Sequence, residues 1–165
     1  ALSAGLVILC CGTETPPGLR VVSGYAGTRY QPGTPAPSDA ELFTEYLLKS
    51  AHGIEYKVRL VRIRGEKLLF LVRLIDRDRA GQPPISDIVP AASAPEMPNS
   101  YLIALGVCYQ GDRPDADIFA VVENQEDEQW LRRVRSAWRA NGPAQRFEPV
   151  SPGGLECENE DYGKD

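Results

Sequence analysis

Residues 54–76, IEYKVRLVRIRGEKLLFLVRLID, constrain the fold more than any other stretch. Ile54, Tyr56, Val58 and Leu60 fall on alternate positions, with Glu55, Lys57 and Arg59 between them, which is the period of a half-buried strand. At Val61 the apolar phase slips by one, so that Val61 and Ile63 become apolar and Arg62 and Arg64 polar. A one-residue slip moves side chains to the other face, and predicts a bulge near Leu60 and Val61. Gly65 followed by Glu66 suits a two-residue type II′ turn, whose first position needs a positive φ. The return strand, residues 67–75, is apolar on both faces, as in a sheet covered on both sides.

Cover is expected from two amphipathic helices. The first spans 39–51: Ser38 and Glu41 form a capping box, and Leu42, Phe43, Tyr46 and Leu47 fall on one helical face. The second spans 125–140, capped by Asn124 and stopped at Asn141-Gly142, with Trp130, Leu131, Val134, Ala137 and Trp138 as its apolar stripe. Between them, residues 101–109 and 118–123 read as strands, and 146–150 and 155–158 as shorter ones. The expected class is α+β, mainly an antiparallel sheet built on the 54–76 hairpin. Residues 19–158 form its single domain. Residues 1–18 precede it as a strand or a residual export or anchor segment, and 159–165 follow as an acidic tail.

A chain of 165 residues can bury about two-thirds of the surface that it exposes unfolded, and its 42% apolar content is ordinary. Most of the net charge of −5 sits in residues 156–165, where Glu156, Glu158, Glu160, Asp161 and Asp165 face only Lys164. A near-neutral body with an acidic end gives no electrostatic footprint for nucleic acid. Trp130 and Trp138 share the apolar stripe and are not free to stack on bases.

The four cysteines, Cys10, Cys11, Cys108 and Cys157, contain no Cys-x-x-Cys pair, and the single His52 is distant from all of them. That spacing argues against zinc. A disulfide between Cys108, which ends one expected strand, and Cys157, which lies in the final one, fits better. The apolar run 2–11 is too short to span a bilayer. It reads as a first strand or as an export-signal remnant, and any membrane anchoring would run through this N-terminal segment, with Cys11 as a lipidation position. Asp112, Asp115 and Asp117 lack the spacing of a calcium loop and read as turn chemistry. No metal and no cofactor is expected.

Residues 77–100 carry Pro83, Pro84, Pro90, Pro95 and Pro98, with the apolar Ile85, Ile88, Val89 and Met97 among them. A proline-stiffened loop of that length inside a compact domain suits a binding element. The functional expectation is a non-catalytic, exported, periplasmic or envelope protein-binding module, of inhibitor or immunity type. Ile85, Ile88, Val89 and Met97 would anchor another protein, and Arg59, Arg62 and Arg64 would meet acidic groups on it. A small Cys/His hydrolase and a structural envelope lipoprotein are the alternatives. No nucleophile elbow, phosphate loop or zinc-protease motif speaks for an enzyme.

Overall fold

The computed structural model describes residues 18–30, 39–48, 54–75 and 85–164. Among them there is no helix, and thirteen strands form three antiparallel sheets. The first sheet runs in the order β1 (Arg29–Tyr30), β5 (Ile85–Ser93), β4 (Glu66–Ile75), β3 (Glu55–Ile63), β2 (Glu41–Leu47). The second is β12 (Arg146–Val150), β11 (Val134–Asn141), β9 (Ile118–Glu123), β6 (Tyr101–Leu105). The third consists of short strands: β10 (Trp130–Leu131), β13 (Leu155–Glu158), β7 (Cys108–Gln110), β8 (Arg113–Pro114).

The α+β expectation is therefore corrected to all-β: the segments read as helices 39–51 and 125–140 contain β2, β10 and β11. The physical reason for the misreading is a pair of bulges. Val134 pairs with Val122 and Ser136 with Val121, so Arg135 is an extra residue in β11. That insertion places Val134 and Ala137 on one face together with Leu131 of β10. The resulting three-residue spacing imitates a helical stripe. In β2 the register shifts between Leu42 and Thr44, making Phe43 the extra residue there. Beyond it Tyr46 turns inward, followed by the buried Leu48, while Leu47 stays exposed.

The hairpin forms, with two adjustments. Its β3–β4 ladder is continuous from Glu55↔Leu74 to Ile63↔Glu66, so the expected bulge is not in β3. It lies in β2, directly opposite Leu60 and Val61. The loop is Arg64-Gly65 with φ of 51° and 85°, which is the type I′ pattern of two positive φ values rather than type II′.

Three apolar clusters stack the sheets. Tyr56, Val58, Leu60, Leu69 and Leu71 of the first sheet meet Leu105, Phe119, Val121 and Trp138 of the second. The opposite face of the second sheet sets Ala104, Ile118, Ala120, Val122 and Ala137 against Cys108, Leu131, Leu155 and Cys157 of the third. The outer face of the first sheet holds Val61, Ile63, Leu68, Phe70, Val72 and Ile88, covered by Tyr30, Val22, Tyr25 and Ala40. Sheets and chain segments thus supply the cover expected of helices. Leu68 to Val72 are essentially inaccessible, at 0–1% exposure.

The expected 101–109 strand is broken by Gly106, at φ 72°, into β6 and β7, which belong to different sheets. A Cβ at Gly106 would lie inside the Tyr46 ring, so only glycine fits between the edge of the first sheet and this corner. Cys108 and Cys157 are directly paired across β7 and β13, with Cα atoms 3.9 Å apart, and form the disulfide.

Candidate binding site

The residues that the sequence nominates for partner contact are mostly committed to the fold. Residues 85–93 are the strand β5 rather than loop, because they complete the first sheet between β4 and β1. Ile88 is fully buried in the outer cluster, so it cannot touch a partner unless the sheet opens. Val89 and Met97 lie against the core between the first two sheets. Ile85 is half-buried and pairs with Ile75. Residues 76–84, 31–38 and 49–53, with His52, and 1–17, with Cys10 and Cys11, lie outside the described residues.

The three arginines are engaged within the chain. Arg59, with a side chain only 12% exposed, donates to Glu45 at 2.8 Å and to the Tyr30 hydroxyl at 2.7 Å, tying β1, β2 and β3 together. Burial raises the Tyr30 phenol, and the Arg59 charge offsets part of that rise. Arg62 pairs with Glu41 at 3.2 Å and covers the Phe43 ring, 4.5 Å from its centroid. Arg64 reaches Asp39 at 3.4 Å from the exposed turn. A carboxylate on each leaves little net positive charge for an acidic partner.

Two other polar groupings fall short of a site. Arg73 donates to Asp87 at 2.7 Å, and Arg73 Nε and Asp87 Oδ1 are buried without hydrogen-bond partners among the described residues. The pair joins β4 to β5 two residues from the described ends of both strands and surrounds no cavity lined by other functional groups among the described residues. A depression of about 470 Å³ is lined by Gln110, Arg113, Pro114 and Asp115. The Asp115 carboxylate there is already taken by Arg139 at 2.6 Å.

A third feature combines an apolar floor with uncommitted charge. Leu102 and Ala104 of β6 face the third sheet, and with Val107 and Leu131 they line a groove of about 210 Å³ at the side of the molecule. Its rim is Glu158, Asn159, Glu160 and Asp161, which follow directly from β13.

Asn159 makes this rim rigid. Its backbone N–H donates to Gln129 O at 2.9 Å, and its side-chain amide donates to Gln125 O and Glu128 O at 3.1 and 3.0 Å. Its Oδ1 accepts from the Asp161 N–H, and Glu158 N–H donates to Val107 O at 2.9 Å. The segment expected as an acidic tail therefore begins with a hydrogen-bonded turn at Asn159–Asp161.

Asn159 also brings a second acidic turn alongside, Glu126, Asp127 and Glu128. Of these six carboxylates only Asp161 has an ion pair among the described residues, with Lys164 at 3.5 Å. The nearest arginines are occupied: Arg132 on Glu156, Arg133 on Glu123, and Arg135 over the Tyr101 ring.

The groove borders an open strand edge, since β6 is the outermost strand of the second sheet among the described residues. Gly106 N–H donates to Ile118 O, and Asn124 N–H to Ser100 O. Bonded pairs alternate along an antiparallel ladder, so Leu102 and Ala104 bond inward to β9. The N–H and C=O of Ile103 point outward.

The acidic composition of both turns is visible in the sequence. Their contact is not, because it depends on one asparagine and on a strand where a helix is expected. Comparison with protein-family models, curated proteins and solved structures finds no match to this chain.

Proposed function

We propose that this chain is a non-catalytic binding protein of an oxidising, exported compartment, and that it holds a segment of another protein at the groove beside β6. The observation that carries this reading is a cluster of carboxylates without an ion pair; Glu55, Glu96 and Asp112 also lack one among the described residues, but away from the groove. Elsewhere Asp39, Glu41, Glu45, Glu66, Glu123 and Glu156 each sit on an arginine or lysine of the same chain. Around the groove Glu126, Asp127, Glu128, Glu158 and Glu160 do not, although they are held on hydrogen-bonded turns near the half-buried Leu102 and Val107. Preorganised charge next to an apolar pocket and a free strand edge is the composition of a recognition site. The Cys108–Cys157 disulfide is consistent with an oxidising environment. This moves the binding surface away from residues 77–100, of which 85–93 are built into the first sheet.

The test places a photo-crosslinking residue at Glu160 of the full, disulfide-bonded chain, and at Lys67 as control. Each is exposed to the exported protein fraction of the source cell. The reading expects an adduct at position 160 that excess unlabelled protein removes. Equal labelling from both positions, or adducts that resist competition, would refute it.

A further inference from the structure

We infer that the groove is a receptor for one lysine or arginine side chain, carried by an extended segment that adds to β6 as a further strand. This inference rests on the binding function proposed above and specifies its partner.

Size is the first argument. At about 210 Å³ the groove is below the roughly 300–1,000 Å³ of sites for drug-sized ligands and cofactors, and suits a single long side chain.

The second is the order of chemistry along it. The half-buried Leu102 and Val107, backed by the buried Ala104 and Leu131, offer apolar surface to a methylene stem, and Glu158, Glu160 and Asp161 stand at the rim where a charged head would emerge. Lysine and arginine bury their stems on apolar surface while keeping the head polar. An apolar side chain would fill the floor and leave the rim carboxylates unanswered. An acidic one would meet like charge.

Backbone geometry supplies the third. The outward N–H and C=O of Ile103 are the groups with which an added strand pairs. Alternation along such a strand sends every second side chain toward the third sheet, where the groove lies. Main-chain bonds would fix the register, and the groove would select the residue. The neighbouring turn with Glu126, Asp127 and Glu128 extends the negative field along the same side and favours further basic residues in the segment.

The probe is the acetylated and amidated pentapeptide TVRVT, with TVKVT, TVLVT and TVEVT as comparisons, titrated into the ¹⁵N-labelled full chain. The arginine and lysine peptides are expected to shift the amides of 102–107, 131 and 158–161 saturably. They should bind about tenfold or more tightly than the leucine peptide, the glutamate peptide should not bind, and added salt should weaken the complex. In the variant Glu158→Gln/Glu160→Gln/Asp161→Asn, whose changes are confined to the rim and whose fold the same spectra report, the arginine peptide should fall to the level of the leucine one. A second variant, Val107→Phe, fills the groove without changing charge and should weaken binding of both cationic peptides. Equal binding of the leucine peptide, unchanged affinity in the rim variant, shifts centred on 126–128, or no binding at all would each overturn the inference. A competed adduct at position 160 together with failure of the cationic peptides would leave the binding function standing and remove only this assignment of its partner.

Discussion

The interface between the first and second sheets and the layer made by the third are held by different means. The former uses long strands and large side chains: Leu60, Leu69 and Leu71 against Phe119 and Trp138, whose rings stack at 5.7 Å, with Phe147 edge-on to Phe119 at 5.6 Å. The latter has strands of two to four residues, and the second sheet turns three alanines toward it, Ala104, Ala120 and Ala137, beside Ile118 and Val122. Short strands make few ladder bonds and alanines bury little area, so the Cys108–Cys157 bridge takes over part of the role that burial plays elsewhere. The groove opens at the edge of this thinner layer, where hydrogen-bonded turns rather than close-packed aromatics form the wall.

The sharpest way to break this comparison is to remove Phe119. It is 1% exposed at the centre of the main interface, and Phe119→Ala should cost about 3–5 kcal/mol in urea unfolding through lost transfer energy and a cavity. A cost below about 2 kcal/mol would mean that the first interface does not depend on tight packing. Replacing both cysteines, Cys108→Ala/Cys157→Ala, comes next. The bridge spans a sequence separation of 49 residues, and its loss is expected to cost about 2–4 kcal/mol, chiefly through the freer unfolded chain. In native-state hydrogen exchange, protection should fall most in β7 and β13 and least in β3, β4 and β9. Uniform loss across all three sheets would erase the distinction between the layers. Asn159→Ala follows, removing three side-chain hydrogen bonds from the wall of the groove: two donated to Gln125 O and Glu128 O, each with a net contribution of about 1 kcal/mol, and a weaker, exposed one accepted from Asp161 N–H. Thermal denaturation should register a loss of about 2 kcal/mol, and amide exchange should rise in 125–129 and 158–161 while the Phe119 neighbourhood stays unchanged.

The same division explains what the sequence disclosed. The 54–76 hairpin is legible because β3 alternates from Glu55 to Leu60 and β4 is apolar on both faces, and each pattern has one cheap structural solution. The disulfide is legible from two cysteines in expected strands. The segments 39–51 and 125–140 misled because a bulge adds one residue to a two-residue period, and three-residue spacing is also what a helix produces. Acidic residues preceding arginines in 126–139 also match the charge order that a helix dipole favours. Yet Arg133 bonds Glu123 and Arg139 bonds Asp115, partners on other strands and turns. Of the binding groove, only the charge could be read. Its floor comes from β6 and residue 131, its rim from the end of β13, and no local pattern encodes their meeting.

The smallest expected effect concerns the edge of the first sheet, where β2 is held by charge more than by burial. Leu42, Phe43 and Leu47 are 42–50% exposed, whereas Glu41 pairs with Arg62, and Glu45 with Lys57 and Arg59, across the β2–β3 ladder. Burial works against ionisation of Glu45, but the Lys57 hydrogen bond and the Arg59 charge and hydrogen bond outweigh it, so its carboxyl is held below the ordinary 4.5. A carboxyl with a depressed folded-state pKa stabilises the fold fully above its unfolded value. That stabilisation is lost as pH falls through the folded-state value. Glu45→Gln should therefore destabilise the protein at neutral pH by under about 1 kcal/mol, since the group is partly solvent-screened. The difference from the unsubstituted chain should shrink progressively below pH 4.5, which denaturant midpoints at neutral and acid pH would measure. A difference that stays constant into acid would show that shape, not charge, holds Glu45 in place. The edge would then be fastened as the core is, and the contrast between burial and charge would not extend to β2.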